Sequence, residues 1–339
     1  MTDKIDIPSF KITASKMRAD GNAYFKLFEK HIPVGYGENS TILLYKIDNM
    51  SCIAKIVDMN NSAKYIVVTN DATAAALRIV LNKSINVDYL KDFDFEKNDM
   101  KFDCIIMNPP YGRSLPHNIL NIASKYLKDD KSVVVSLQPV TPYQTFVEST
   151  KVTKENMSHI KDIEIIQADK ASEIFGITVR SDLGIIQIDN SIHDYKYQFN
   201  ECKPIYDKII NKKLKSWRSV CVCDKDPKHF LYMNGDNGYA KGWHLKPTEI
   251  FNGKTNAKLV FNSKEEKDNF FNSVKNTWLY KFIYILDNDA AVPAHFPFMQ
   301  DYSKPWDDAR LYKYFNLTDE EIKTIESTIE KFNKTKTIE

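Results

Sequence analysis

The residues Asn108-Pro-Pro-Tyr111 directly follow an apolar segment, Phe102-Asp-Cys-Ile-Ile-Met107, that is typical of a buried strand. In a parallel sheet, loops at the carboxyl ends of the strands form the active site. Two consecutive prolines fix φ and remove two backbone donors, so the loop is rigid and presents the Asn side chain and carbonyl oxygens to a ligand. These oxygens can accept both hydrogens of an exocyclic NH2 group and leave its lone pair nucleophilic. The pattern predicts chemistry at an amino nitrogen, with Tyr111 stacked on the ring that carries it.

Strands and helices alternate around this loop. Strands are predicted over 42–47, 65–69, 85–88, 102–107 and 132–136, and helices over 12–31, 71–80 and 118–127. This alternation predicts βαβ units and a parallel sheet, so the fold class is α/β. Two later strands, over 162–166 and 178–189, are expected to pair antiparallel. We place a domain boundary in the polar stretch near 190–205, which gives domains 1–195 and 196–339.

The string from Phe102 to Gly112 resembles the catalytic motif of amino-methyltransferases, specifically the DNA N6-adenine methyltransferases of phage and restriction-modification systems. Two other segments are similar to the same family. Phe175-Gly-Ile-Thr-Val with Leu183-Gly-Ile-Ile-Gln-Ile resembles its late hairpin, and the residues that begin Pro305-Trp-Asp-Asp-Ala-Arg resemble its C-terminal tail. The similarity touches about 65–190 and 293–326.

The resemblance implies a Rossmann-like class I methyltransferase sheet, followed by a mixed α+β target-recognition region. It also implies transfer of a methyl group from S-adenosylmethionine to adenine N6 in double-stranded DNA, with the target base flipped out of the helix. Asn108, Pro109, Pro110 and Tyr111 would then be the catalytic residues. The same motif occurs in protein-glutamine and some RNA methyltransferases, so these substrates remain as alternatives.

This family binds S-adenosylmethionine at a glycine-rich turn after the first strand, where a missing Cβ lets the backbone approach the cofactor. Glycine is scarce here, with 10 among 339 residues. Gly35-Tyr-Gly37 has the G-x-G spacing but follows a poor strand. Asp48-Asn-Met-Ser-Cys52 follows the better strand and has the acid but no glycine. Both placements of the cofactor turn stay open, with a plain turn as the alternative for Gly35 and Gly37.

Two further acids are candidates for the same cofactor. Asp71 follows the second strand, where the family has an acid for the ribose hydroxyls, and its alternative role is to cap the helix that begins there. Asp88 is the last residue of the third predicted strand and is the candidate for the adenine amino group, with a solvated carboxylate as the alternative. The incomplete motif also leaves a second hypothesis: a chain without cofactor binding that serves as a DNA- or partner-binding subunit, paired with a second methyltransferase subunit or with its own copy.

The formal net charge is only +2, from 47 Lys plus Arg and 45 Asp plus Glu, so any contact with DNA must come from a local patch. Phosphate contacts are expected from several cations and base stacking from one Trp. These candidates are Arg113, Lys212, Lys213, Lys215, Trp217 and Arg218. The alternative is an ordinary helix, because Ile209, Ile210, Leu214 and Trp217 also form an apolar stripe.

Five cysteines without a C-x-x-C pair predict no metal site and reduced thiols. No apolar run has the roughly 18 residues that a membrane span needs, and the first residues lack the apolar region of a signal peptide. We therefore expect a cytoplasmic protein that binds no membrane.

Overall fold

The computed structural model describes residues 19–81, 85–112, 114–147, 151–179, 181–210, 214–222, 227–233, 247–248, 258–287 and 295–337. The strands are β1 Thr41–Tyr45, β2 Lys64–Val68, β3 Val87–Leu90, β4 Cys104–Met107, β5 Val133–Pro139, β6 Ile160–Ile166, β7 Leu183–Asp189, β8 Lys215–Ser216, β9 Phe230–Met233, β10 Pro247–Thr248, β11 Lys258–Val260 and β12 Pro297–Phe298. The helices are α1 Gly21–Phe28, α2 Met50–Met59, α3 Asp71–Val80, α4 Leu115–Ser124, α5 Thr141–Gln144, α6 Lys151–Asn156, α7 Ala168–Phe175, α8 Lys203–Ile210, α9 Trp217–Val220, α10 Lys264–Asn276, α11 Trp278–Leu286, α12 Asp308–Phe315 and α13 Asp319–Thr337.

A seven-stranded sheet with the order β3-β2-β1-β4-β5-β7-β6 contains the first seven strands. The strands β1 to β5 run parallel, and β7 is antiparallel to both β5 and β6. This order, with one reversed strand near the edge, is that of the Rossmann-like class I methyltransferase fold, so the predicted fold class is confirmed. The predicted antiparallel pairing of the two late strands is also confirmed.

The inner strands are buried on both faces, as expected for a parallel sheet covered by helices. Along β1, Ile42 and Leu44 belong to one apolar cluster, while Leu43 and Tyr45 belong to another. Because side chains alternate along a strand, these clusters lie on opposite faces of the sheet.

Asparagine side chains cap the two helices that leave β1 and β2. Asn49 accepts a hydrogen bond from the Cys52 amide at the start of α2, and Asn70 accepts one from the Thr73 amide at the start of α3. The predicted N-cap role of Asp71 is therefore wrong, since Asp71 is the first residue inside α3. Asn is as good a cap as Asp, and Asn70 has the extended backbone angles that an N-cap residue adopts.

The chain forms two compact units. The first consists of Met1–Tyr143 and Ser149–Lys196, and the second of Gln144–Glu148 and Tyr197–Glu339. The seven-stranded sheet belongs to the first unit. The second unit is mixed α+β, with α8 to α13, a three-stranded sheet and a two-stranded sheet. Its core is rich in aromatic side chains, among them Trp217, Phe270, Tyr280 and Phe296.

No helix within the described ranges has both the length and the apolar character required to cross a membrane.

Candidate active site

The loop Asn108-Pro-Pro-Tyr111 begins where β4 ends, at the carboxyl edge of the parallel strands. The backbone amide of Asn108 donates to the carbonyl of Tyr45, the last residue of β1, at 3.0 Å. The first residue of the loop is therefore held next to the turn that follows β1. The structure thus places the predicted catalytic loop at the edge where α/β folds bind their ligands.

The Asn108 side chain is fully buried, and its orientation is set by Tyr24 of α1. The Asn108 Nδ2 group donates to the Tyr24 hydroxyl, which itself donates to the carbonyl oxygen of Ile47 at 3.2 Å. Burial raises the pKa of Tyr24 well above its ordinary value, so the phenol stays protonated. Tyr24 lies 84 residues before Asn108, and no local sequence pattern links the two.

The rest of the loop is also packed into the protein. Pro109 is buried and Pro110 is half-buried. The ring of Tyr111 is only 8% exposed, and its hydroxyl donates to the carbonyl oxygen of Leu137 in β5 at 3.1 Å. Burial raises the pKa of Tyr111, which keeps this hydroxyl a donor. In this arrangement the ring packs in the apolar cluster of one sheet face rather than presenting an open face to a base.

The turn after β1 contains two residues with left-handed backbone, Lys46 at φ 56° and Asp48 at φ 54°. The Asp48 carboxylate is buried and accepts hydrogen bonds from the Thr69 hydroxyl at 2.8 Å and the Asn70 amide at 3.3 Å. The carboxylate therefore ties the turn after β1 to the end of β2. Of the two turns considered from the sequence, the one containing Asp48 lies at the carboxyl edge together with Asn108.

Gly35 and Gly37 lie at the opposite edge of the sheet. Both precede β1, and the Gly35 amide donates to the Asn60 side chain, which precedes β2. The hydroxyl of Tyr36, between the two glycines, donates to the carbonyl of Asp103 just before β4. The structure therefore does not bring these glycines together with Asn108.

The two other acids predicted from the sequence occupy different levels of the sheet. Asp71 is exposed at the start of α3, beside the carboxyl end of β2. Asp88 lies within β3, in register with Ile66 in the middle of β2, and its carboxylate is 3.3 Å from the Lys64 ammonium. Asp88 is therefore below the edge where Asn108 and Asp71 lie.

A different acid, Asp92, follows the carboxyl end of β3. The Lys46 ammonium is 3.8 Å from the Asp92 carboxylate and donates to the Lys91 carbonyl at 2.9 Å. Because β2 lies between β1 and β3, the Lys46 side chain spans the end of β2. The sequence prediction did not consider Asp92, because it ended the third strand two residues early. No local pattern singles out Asp92, because the same acid-aromatic pair recurs as Asp94-Phe95.

The residues before α1 cover the start of α2. The Asn49 side chain donates to the Ala19 carbonyl at 3.0 Å. Gly21 packs so closely that a Cβ atom there would lie 2.3 Å from the Ser51 Cβ atom. Gly21 thus allows a close approach between two helices of the protein itself.

The residues predicted to contact DNA are only partly described. Arg113, Lys212 and Lys213 lie outside the described residues. Lys215 in β8 and Arg218 in α9 are exposed. In contrast, Trp217 is completely buried and stacks on Phe296, with ring centroids 4.4 Å apart. Its ring is part of the second unit's core and is not available to a nucleic acid base in this structure.

No protein-family model matches the sequence, and no curated protein does. Several solved structures are similar in fold. A type I restriction-modification methyltransferase subunit from Streptococcus thermophilus is 15% identical at a TM-score of 0.37, over 50% of this chain and 44% of the subunit. The match therefore spans less than half of that subunit's length.

Two further structures match to a similar degree. A putative S-adenosylmethionine-dependent methyltransferase from Listeria monocytogenes is 9% identical at a TM-score of 0.35, over 50% of this chain and 99% of that one. A dimethyladenosine transferase from Plasmodium falciparum is 12% identical at a TM-score of 0.36, over 58% and 70%. Similarities this weak carry no argument about activity or substrate. The fold assignment rests on the strand order.

Proposed function

We propose that the protein transfers a methyl group from S-adenosylmethionine to adenine N6 in double-stranded DNA. The observation that carries this proposal is the position of Asn108-Pro-Pro-Tyr111 after β4, in a sheet with the class I methyltransferase strand order. The Asn108 carboxamide there has its NH2 group bound to Tyr24, which turns its oxygen to the other side.

The chain's own part in the reaction is to orient the amine. The Asn108 carboxamide oxygen and the Pro109 carbonyl oxygen accept the two hydrogens of the adenine amino group. Accepting both hydrogens draws the nitrogen lone pair out of conjugation with the ring and makes it nucleophilic. The proton lost afterwards needs no base of unusual pKa. Because both acceptors are held by a rigid, buried loop, they are preorganised for this task.

Carboxylates at the carboxyl edge are suited to accept hydrogen bonds from the nucleoside part of S-adenosylmethionine. Asp71 after β2 is suited to accept from the ribose hydroxyls, and Asp92 after β3 to accept from the adenine amino group. The turn around Asp48 has left-handed backbone without glycine. When bound, the cofactor supplies an electrophilic methyl group. The affinity of the protein for S-adenosylmethionine is the first quantity to measure.

DNA binding is proposed to involve cations of the second unit. A base within duplex DNA must be flipped out to reach an enzyme pocket. Lys215 and Arg218 are exposed cations suited to bind phosphates. Arg113, Lys212 and Lys213 remain predictions of the same kind. Since the net charge is close to zero, binding should depend on this local patch.

A second function is favoured by how tightly the site is packed. Asn108 is fully buried, Tyr111 nearly so, and the start of α2 is covered by the residues before α1. A chain with this site closed would bind DNA, a second methyltransferase subunit or its own copy without catalysis. This alternative predicts no binding of the cofactor by the chain alone.

Calorimetric titration with S-adenosylmethionine separates the two functions, followed by incubation with labelled cofactor and adenine-rich duplex DNA. We expect cofactor binding and label on adenine N6. Asn108→Ala should lower the transfer rate about 100-fold, as when one preorganised hydrogen-bonding group is lost, with little change in cofactor affinity. Asn61→Ala, which alters an exposed asparagine, is the control.

Three outcomes would contradict the proposal. Failure of the folded protein to bind the cofactor at millimolar concentration supports the non-catalytic subunit. Transfer to RNA or to a glutamine-containing peptide, but not to DNA, identifies a different substrate. Equal transfer by Asn108→Ala and the unaltered chain removes Asn108 from the mechanism.

A further inference from the structure

The hydroxyl of Tyr24 connects two parts of the carboxyl edge of the sheet that are far apart in sequence. It receives a hydrogen bond from the Asn108 carboxamide and donates one to the carbonyl of Ile47, in the turn after β1. Tyr24 itself belongs to α1, outside the sheet. One buried oxygen therefore joins α1, the turn after β1 and the loop after β4.

The Ile47 carbonyl determines which group donates and which accepts in each of these two hydrogen bonds. The Ile47 carbonyl can only accept, so the Tyr24 O–H must donate to it. The only group that the phenol oxygen can then bind on its other side is a donor. The Asn108 carboxamide has one donor group, Nδ2, and it must face Tyr24. The carboxamide oxygen consequently lies on the side away from Tyr24.

The position of the Tyr24 ring is fixed by its packing. It is completely buried and packs against Phe28 of α1, with centroids 5.8 Å apart, and edge-on against Phe175 of α7 at 5.4 Å. Because burial keeps the phenol protonated, the direction of the hydrogen bonds is unchanged over the pH range in which the fold is stable.

We infer that Tyr24 is a positioning residue that fixes the rotation of the Asn108 carboxamide, so that its oxygen rather than its NH2 group meets the target amine. This inference rests on the proposed function. A carboxamide turned by 180° would place a donor against the amine, which is itself a donor. Without Tyr24 the two orientations differ less in free energy, and a fraction of the molecules would be unable to orient the substrate.

The test uses two matched variants of the full chain. Tyr24→Phe removes the connecting hydroxyl. Tyr65→Phe is the control, because Tyr65 is also completely buried and its hydroxyl donates to a backbone carbonyl, that of Asn60, at 3.1 Å. Tyr65 lies at the amino ends of the strands, away from Asn108. Both variants lose one buried hydroxyl, and only one of them loses contact with Asn108.

The first measurement does not depend on activity. In protein labelled with 15N on asparagine side chains, the NH2 signals of Asn108, identified by their loss in Asn108→Ser, should exchange slowly with solvent. Tyr24→Phe should shift these signals and speed their exchange at least tenfold, whereas Tyr65→Phe should leave them in place. Unchanged Asn108 signals in Tyr24→Phe would overturn the inference.

The second measurement is methyl transfer to duplex DNA. Tyr24→Phe should lower kcat about tenfold, the effect of one hydrogen bond on a rate, while KM for DNA and for cofactor changes less than twofold. Tyr65→Phe should match the unaltered protein. Equal kcat for the two variants overturns the inference. If the unaltered protein methylates no adenine, the proposed function fails, and the NMR comparison still decides whether Tyr24 holds Asn108.

Discussion

Lys46 and Asp48 have the left-handed backbone that glycine usually provides in the turn after the first strand. For a residue with a Cβ atom this conformation costs about 1–2 kcal/mol. Asp tolerates it better than most residues. Three interactions offset the cost: the hydrogen bonds of the Asp48 carboxylate to Thr69 and Asn70, and the contact of the Lys46 ammonium with Lys91. The low glycine content therefore does not prevent the turn from forming.

A buried histidine, His117 in α4, follows the loop Asn108-Pro-Pro-Tyr111. The Gln138 side chain donates to the Nδ1 atom of His117 at 2.9 Å, and the Ser136 hydroxyl donates to Gln138 at 3.0 Å. Burial lowers the pKa of His117 to about 4. His117 is thus neutral in the folded protein at every pH above this value.

We predict that His117 lowers the free energy of unfolding as the pH falls below about 6.5. Its pKa is lower in the folded state than in the unfolded state, so the unfolded chain binds a proton that the folded protein does not. The resulting loss between pH 7 and pH 5 is about 2 kcal/mol. Urea unfolding of the wild type and of His117→Gln at several pH values measures it. Parallel stability curves for the two proteins would contradict the prediction.

At the level of single residues, sequence reasoning found what is local. The Asn108-Pro-Pro-Tyr111 loop and the apolar strand before it are adjacent in the chain, so their pattern was visible. Tyr24 was not predicted as a site residue because its contact with Asn108 depends on how α1 packs on the sheet. Trp217 was expected to be available for stacking, but its neighbours in the core are Phe270 of α10, Tyr280 of α11 and Phe296 just before β12.

Among the elements, α1 and α2 pack closely at the carboxyl edge of the sheet. Gly21 begins α1 and approaches Ser51 in the first turn of α2. This approach sets the position of α1, which in turn carries Tyr24. The position set by this helix contact is therefore passed to Asn108 through the single side chain of Tyr24.

We predict that Gly21→Ala destabilises the protein by about 1–3 kcal/mol, because its Cβ would lie 2.3 Å from the Ser51 Cβ atom. In a Ser51→Gly background the same change should be neutral or stabilising, since alanine is the better helix former. A double-mutant cycle by thermal unfolding measures this coupling. Gly37→Ala is the control, because no atom lies within 4 Å of its added Cβ. Equal effects of Gly21→Ala in both backgrounds would refute the proposed contact.

Element boundaries were predicted less well than element types. The third strand was expected over 85–88 and lies at Val87–Leu90, where residues are only half-buried in alternation. This weak alternation did not define where the strand ends. With the strand placed two residues early, its end falls at Asp88 instead of just before Asp92. The order of the strands was not predictable from local pattern, because it depends on contacts between distant segments.

In the whole molecule, the two units are not consecutive stretches of chain. Gln144–Glu148 belongs to the second unit although the residues on both sides belong to the first. Phe146 and Val147 in this segment pack against the apolar core of the second unit. The expected boundary at 195/196 lies next to the division at Lys196, but no sequence signal marked the inserted segment.

We predict that a fragment of residues 1–196 unfolds cooperatively, because it contains all seven strands of the sheet. It should also self-associate, since Phe146 and Val147 have lost the core that covers them. Light scattering should show that Phe146→Ser with Val147→Ser restores the monomer. In the full chain the same pair of changes should lower stability instead. A fragment without a cooperative transition would show that the sheet depends on the second unit.

The segment Gln144–Glu148 also determines an order of events during synthesis. When Lys196 has left the ribosome, every strand of the sheet is present and the first unit can fold. The second unit then has only these five residues, and its core also needs Ile325 and Ile329 of α13. Phe146 and Val147 are therefore exposed to solvent after the first unit has folded, until α13 has been translated. A chaperone that shields short apolar segments on nascent chains would act on this protein during that interval.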